Sequence, residues 1–350
     1  MKKPKNAALI LGVLLLMLIP TYAIGAGQSD EGFGKSYILF PLASSDSTTN
    51  GTAYGFLYLS RQLSAAALYN NNEYRMFYLF SNNYLDDGQF LVTSLFAYGK
   101  SNSTFYGIGN EDFSAPGEDY QGKTDQFGGG FFVRLTDGLY LGPTVSASRF
   151  SVSDVEAGGQ LAQGTITGYN GSDAVGIGLE LKSDQRDDPG FPTEGYLLDI
   201  KTLFYNPDFG SDLKFSQSSA TYSQFIPVAM GGVWVLKGRI VYTHGEDIPF
   251  QMLPSLGEGD IMRGIEGKKD INRDLIAVAS DYRFHITEPL TATIFVGLGD
   301  VANSFSEIQM DKFVKGFELR YNFLGPFKLY LIRGYGKHDI ASYVGINAWF

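Results

Sequence analysis

Apolar residues alternate with polar or small ones through long segments of this chain, and a period of two builds strands, not amphipathic helices. Over residues 291–300, Ala292, Ile294, Val296 and Leu298 share one face while Thr293, Phe295, Gly297 and Gly299 share the other. Residues 275–286 repeat the pattern, with Ile276, Val278, Tyr282 and Phe284 opposed to Ala277, Ala279, Asp281, Arg283 and His285. In residues 313–323, Phe317, Leu319, Tyr321 and Phe323 oppose Gly316, Glu318, Arg320 and Asn322.

Periodicity alone leaves two architectures open. A soluble sandwich turns the apolar face toward its core, whereas a membrane barrel turns it toward lipid and lines its interior with the polar face. The 22 Tyr, 27 Phe and 43 Gly, with charged residues at 18%, are compatible with both. Strand length and loop asymmetry separate them. The alternating segments run to roughly 10–14 residues, nearer the membrane requirement than the five or six usual in soluble sheets. Short turns at 86–88, 136–138, 287–289 and 325–326 alternate with long polar connections at 101–123, 151–171, 245–272 and 303–310. Short on one side and long on the other is the outer-membrane pattern, so the expected fold is all-β: a transmembrane antiparallel β-barrel.

Counting with that alternation predicts about sixteen strands, at 36–43, 53–60, 62–69, 73–84, 88–101, 123–136, 138–150, 172–184, 195–206, 212–227, 231–244, 271–286, 290–301, 311–323, 327–338 and 341–350. The first three have the poorest strand sequences, with a cramped turn at 60–62 and a weak β-former run at 64–67. The predicted barrel therefore spans 36–350. After residue 30 no apolar run reaches the length of a spanning helix.

The amino end reads as an export signal. Lys2, Lys3 and Lys5 precede thirteen mostly apolar residues at 7–19, followed by small residues at Ala23 and Ala26. Thirteen are too few for a helix across a bilayer, which takes about 20. Cleavage after Ala23 or Ala26 would start the mature chain at Ile24 or Gly27, giving a signal peptide at 1–26 and a short segment at 27–35 before the barrel. No soluble amino-terminal domain fits in that interval. Loss of the three signal lysines leaves 24 basic against 37 acidic residues, a net charge of -13 that argues against a nucleic-acid partner.

At the carboxyl end, Tyr343, Gly345, Ala348 and Phe350 fit the polar-x-Gly-x-x-apolar-x-aromatic ending that outer-membrane barrels present to the barrel assembly machinery during biogenesis. The implied location is the outer membrane of a Gram-negative-type bacterium, with outer-membrane lipid as the surrounding partner.

Catalytic and cofactor chemistry finds little support. The chain has no cysteine, and His244, His285 and His338 have no second ligand at metal spacing. They read as strand-end or lumenal polar residues. Residues 297–302 formally match a dinucleotide fingerprint, but no helix follows and no βαβ unit surrounds them. Gly128, Gly129 and Gly130 read as a barrel kink or a crowded wall. No nucleophile elbow is present, so no enzyme activity, cofactor or metal is expected.

One loop carries a distinctive motif. Leu256, Gly257, Glu258 and Gly259 lead into Ile261 and then Met262, Arg263, Gly264 and Ile265. This resembles the glycine-rich approach and V/I-R-G-F/Y motif of the bacterial surface antigen superfamily, the BamA/TamA-like barrels of the outer membrane. Asp281-Tyr282-Arg283 is similar to the family's acid-x-Arg strand, and Phe295-Val296 with Gly299 to its F-V-D-x-G strand. Residues 183–187, with Pro192 and Gly195, resemble a D-x-R-D turn followed by P-x-x-G, and residues 105–109 an F-Y-G-I-G segment of barrel-only members. The chain departs from the pattern at Gly297, where the family carries its strand acid.

The resemblance implies a long loop folded into the lumen, with Arg263 held by an inward carboxylate, since a buried guanidinium needs fixed acceptors. Asp281 and Asp300 are the candidate acids, and Arg283 is grouped with them as a loop-anchoring residue; the alternative is a solvated surface loop. Supplying the absent acid as Gly297→Asp is expected to tighten the loop. Functionally, the resemblance implies a barrel without POTRA domains that acts in insertion, assembly or translocation of protein or lipid, through a weakly paired seam between the first and last strands. The competing expectation is a passive channel for small solutes, with the loop as a constriction.

Overall fold

A computed structural model describes residues 36–44, 51–60, 62–70, 74–109, 117–265, 267–324, 327–337 and 340–348. The expected signal peptide, the 27–35 segment, His338 and Phe350 lie outside the described residues. Sixteen strands form one sheet in which each pairs antiparallel with its sequence neighbour. They are β1 Ser36–Ser44, β2 Gly51–Leu59, β3 Leu63–Asn70, β4 Arg75–Leu85, β5 Phe90–Phe105, β6 Glu118–Thr136, β7 Leu139–Ser153 and β8 Gly171–Asp184. The second half comprises β9 Gly195–Tyr205, β10 Phe215–Val228, β11 Gly232–Gly245, β12 Asp274–Thr287, β13 Leu290–Ala302, β14 Lys312–Leu324, β15 Phe327–Tyr335 and β16 Ile340–Ala348.

The sheet curls into a barrel. Lys328 on β15 donates to the carbonyl of Gly190 in the β8–β9 turn at 3.2 Å, a contact that a sheet six strands wide between those points permits only by curving around a lumen. Alternation decides which side chains face out. Ile240, Val278, Tyr282, Ile294, Val296, Phe317 and Tyr321 are exposed apolar groups on the outer face, the band that meets lipid. Their neighbours Ala277, Ala279, Asp281, Phe295 and Glu318 point inward and are buried.

One sequence expectation shifts and one weak element holds. The connection expected at 101–123 is shorter, because β5 runs to Phe105 and β6 begins at Glu118, with Ser103 opposite Tyr120 and Thr104 opposite Asp119. Above the bilayer a strand can be polar on both faces, so alternation fades where pairing continues. The weak β2–β3 turn also holds. Ser60 accepts the Leu63 N–H on its hydroxyl at 3.1 Å while its own N–H reaches the Leu63 carbonyl at 2.8 Å, a local substitute for ladder bonds.

Short turns lie at one end and long connections at the other. In the β4–β5 turn, Asp86 and Asp87 take φ of 51° and 49° and Gly88 takes 80°, the left-handed conformations that Asp and Gly tolerate best. One short-end connection is an exception: residues 185–194, between β8 and β9, form a ten-residue turn.

The interior is not uniformly polar. Phe105, Tyr120, Leu161, Phe250 and Leu253 form an apolar cluster drawn from strand tops and the long connections. A second cluster places Leu256, Ile261, Met262 and Ile265 against Val241, Leu275, Ala277, Val301 and Val314 of the inner wall. Burying loop side chains inside the barrel gives it a core that alternation along the strands does not reveal.

Candidate functional site

The connection between β11 and β12 enters the barrel in two parts: Ile248, Phe250 and Leu253 pack with Phe105, Tyr120, Leu203 and Phe215, while Leu256 to Ile265 dock on the inner face of β11–β15. Small wall residues make the docking possible. A Cβ on Gly334 would clash with the Arg263 carbonyl oxygen and lie 2.7 Å from Gly264 Cα, so only glycine there admits the loop backbone. Gly264 approaches in turn, its Cβ position lying 3.1 Å from the Tyr335 backbone nitrogen and from Val314. At Gly316 the absent side chain leaves room for the Phe295 ring.

Arg263 is the polar centre of this contact. Its Nη2 lies 2.5 Å from Asp281 of β12 and its Nη1 3.1 Å from Glu318 of β14, and all three residues are buried, at 6%, 3% and 5% exposure. The guanidinium carbon sits 3.9 Å from the centroid of the inward Phe295 ring on β13, so the cation stacks on an aromatic face between its two carboxylates. Lys237 of β11 shares Asp281 at 3.1 Å and reaches Asp260 of the loop at 2.5 Å. Arg320 binds the other oxygen of Glu318, with Nη2 at 2.5 Å. Three cations, Lys237, Arg263 and Arg320, thus meet three carboxylates, Asp260, Asp281 and Glu318. Such a balance removes the cost of an uncompensated buried charge.

Glu318 was missed as a partner by sequence reasoning. Its signal was present, since it occupies the polar face of the 313–323 segment, but nothing in one sequence shows that β14 curves back to the loop. It takes the place of the acid absent at Gly297. That glycine has its own packing role: a Cβ there would lie 2.9 Å from Val314 Cγ2, 3.0 Å from the Ile261 carbonyl and 3.2 Å from Met262 Sδ. The expectation that Gly297→Asp would tighten the loop is therefore reversed, because the loop backbone already fills that space.

The other candidate anchors serve elsewhere. Asp300 is fully buried and accepts from the backbone N–H of Val301 at 2.9 Å and of Gln309 at 2.7 Å, which orders the β13–β14 connection. Arg283 does not hold the 246–273 loop. It donates to the Pro192 carbonyl in the β8–β9 turn, and its guanidinium carbon lies 4.0 Å from the Phe191 centroid. A side chain two residues along a strand lies on the same face but nearer the other end of the barrel, so Asp281 meets the loop and Arg283 meets the turn.

That turn forms a second closure at the short-turn end. Asp187 organises its base, accepting the Thr193 N–H at 2.8 Å, the Thr193 hydroxyl at 2.5 Å and the Glu194 N–H at 3.1 Å. Partial burial draws the Asp187 carboxyl upward, but the Thr193 hydroxyl and the backbone N–H groups prevail and hold it down at about 2. Arg186 clamps Asp184 through Nε at 2.7 Å and Nη2 at 2.6 Å and also donates to the Pro189 carbonyl at 3.1 Å. Gly195, at φ 93°, ends the turn where a Cβ would strike the Gln185 carbonyl.

Of the carboxyl-terminal residues, Tyr343 donates its hydroxyl to the Ile265 carbonyl at 3.4 Å, linking β16 to the loop. Gly345 leaves room for the Tyr330 ring, and Ala348 ends β16. His244 lies beside Tyr242, and His285 lies 3.4 Å from the Thr291 hydroxyl and 5.7 Å, ring to ring, from Phe191. Among the described residues no group of three or more His, Cys, Asp or Glu side chains is placed to hold a metal ion.

A lipid-facing apolar band, sixteen antiparallel strands and an arginine-anchored loop in the lumen define a transmembrane β-barrel of the outer membrane of a Gram-negative-type bacterium. Its residues 59–321, more than half of the chain, match the Omp85 superfamily domain. The chain belongs to the Omp85 superfamily, the kinship that the Arg263 motif and its companions lead one to expect.

Solved structures share the fold at low identity. A BamA from Haemophilus ducreyi lacking POTRA domains 1–3 is 15% identical with a TM-score of 0.60, over 90% of this chain and 70% of that one. CdiB from Escherichia coli is 12% identical with a TM-score of 0.56, over 93% and 62%. CdiB from Acinetobacter baumannii is 11% identical with a TM-score of 0.53, over 91% and 66%. The chain spans a little less than two thirds of either CdiB. No curated protein sequence matches it.

Proposed function

We propose that this barrel acts in insertion, assembly or translocation of protein or lipid at the outer membrane and is not a passive solute channel. The observation that carries this reading is the occupied lumen: the 246–273 loop is fastened to the wall by buried charge pairs and an apolar cluster. A passive pore needs an open water-filled path, whereas a barrel that works at its wall can keep its lumen filled.

The described strands differ in length around the sheet. β1, β2, β3, β15 and β16 have only 8 or 9 residues, against 19 in β6 and 16 in β5. Spanning takes about 9–11 residues, so the described parts of the first and last strands are near the minimum for crossing. Pro41 within β1 removes one ladder donor, which suits an edge strand. Edges at the first and last strands would offer pairing to a client strand.

The test compares planar-bilayer conductance of the purified protein with liposome insertion of a model barrel client. Client insertion accelerated over empty liposomes, with low conductance, supports the proposal. Large steady conductance without acceleration returns the protein to the solute-channel class.

A further inference from the structure

The buried charges of the lumen balance around Arg263 but not at the short-turn mouth. Arg283 on β12 and Lys328 on β15 both face the Phe191 ring, at 4.0 and 4.6 Å from its centroid. Among the described residues, neither has a carboxylate within ion-pair distance. Each instead donates to a neutral carbonyl of the turn, Arg283 to Pro192 and Lys328 to Gly190. Arg283 is only 9% exposed, and its buried Nε has no hydrogen-bond partner. A buried guanidinium with one neutral acceptor and an orphaned N–H has unused capacity for an anion, because charge-assisted bonds to an oxyanion are about twice as strong as bonds to a neutral oxygen.

The segment occupying these cations is unusual. It springs from between β8 and β9 and crosses the mouth to strands four and seven places along from β8. Its base is tied by the hydrogen bonds of Asp187 and Arg186, while its tip touches the far wall through one ring and two carbonyls. The turn is therefore a strap whose far attachment depends on two cations that a better acceptor could take over.

We propose that Arg283 and Lys328 form a binding site for a phosphate group at the short-turn mouth of the lumen, which residues 190–192 occupy in the closed state. Phosphate presents oxygens to both cations and to the free Arg283 Nε, displaces the Gly190 and Pro192 carbonyls, and releases the strap from the β12–β15 wall. Such a group reaches the mouth either as free phosphate or as a lipid headgroup. The proposal does not depend on which client the barrel handles, since it concerns only access to the lumen.

The absence of cysteine makes a single reporter clean. A nitroxide on Pro189→Cys, on the exposed part of the strap, is followed in full-length protein in nanodiscs of neutral lipid while inorganic phosphate replaces chloride at constant ionic strength. The expected result is a saturable rise in label mobility. Lys328→Gln should abolish the phosphate response and leave the label more mobile at the outset, and Arg283→Gln should do the same. Heat-modifiable migration identifies variants that have folded, and the wild-type wall with the label is decisive even if Arg283→Gln does not. A parallel arm replaces neutral lipid with phosphatidylglycerol without free phosphate. A response in that arm alone assigns the site to a headgroup, and a response to free phosphate assigns it to the soluble ion. No saturable response in either arm, or an equal response in Lys328→Gln, overturns the proposal.

Discussion

Arg263, on a loop, and Asp281, on the wall strand β12, meet at 2.5 Å with both side chains buried inside the barrel. Glu318 completes the clamp from β14 at 3.1 Å. Removing one partner of a buried pair costs about 3–5 kcal/mol when the other charge is left alone; Arg263→Ala leaves Asp281 with Lys237 and Glu318 with Arg320, so its loss should fall toward the lower end of that range. Asp281→Ala should cost less, since Glu318 remains. Urea unfolding in detergent should show the Arg263→Ala/Asp281→Ala double variant losing clearly less than the sum of the singles. Additive losses would mean that the pair contributes nothing specific.

Glycines of the wall should matter only where the loop rests on them. Gly334→Ala places a methyl on the Arg263 carbonyl and should cost about 1–3 kcal/mol as overpacking, with the loop becoming sensitive to protease. Gly238→Ala, with nothing within 4 Å of the new Cβ, should leave digestion unchanged. Equal digestion of both variants would refute the docking argument.

Gly297→Asp tests the correction directly. The added side chain meets the Ile261 carbonyl and Val314, so the variant should loosen the loop and lower the unfolding midpoint. A raised midpoint would restore the expectation drawn from the family pattern.

The strap should resist acid further than an ordinary carboxylate turn. Asp187 is held down at about 2, so its contribution is complete above the usual carboxylate value near 4 and is lost as pH falls through about 2. A reporter on Pro189→Cys should stay immobile at pH 4 and loosen toward pH 2. Asp187→Asn should remove that dependence; the same acid profile in Asp187→Asn would assign it to another group.

Orientation is open to labelling in whole cells. Gln160→Cys and Ser306→Cys, on long connections, should react with an impermeant thiol reagent, and Thr287→Cys, at a short turn, should not. Ser151, expected from sequence to lie in a loop, is instead three places from the start of the β7–β8 connection, within β7 itself. The opposite labelling pattern would invert the topology.

Much of the wall was legible from alternation. Outward Val278, Tyr282, Ile294 and Phe317 and inward Asp281, Phe295 and Glu318 follow from parity along their strands, and thirteen-residue β13 and β14 lie within a residue or so of where periodicity puts them. Strand ends above the bilayer were less legible, because Ser101, Ser103 and Thr104 pair without an apolar face to mark them.

Sequence by itself determined the strand period, the number and order of strands, the face each side chain takes and the presence of an arginine motif in a long loop. These follow from local chemistry, in which a residue's parity and its neighbours suffice. Only the tertiary structure decided that Glu318 joins Asp281 on Arg263, that Gly297 and Gly334 are spaces for loop backbone, and that Arg283 holds a strap from β8–β9. Each depends on the curvature of the sheet, which brings together residues 18, 55 and 91 positions apart. No local pattern encodes that curvature, because it arises from the summed twist and closure of all the strands.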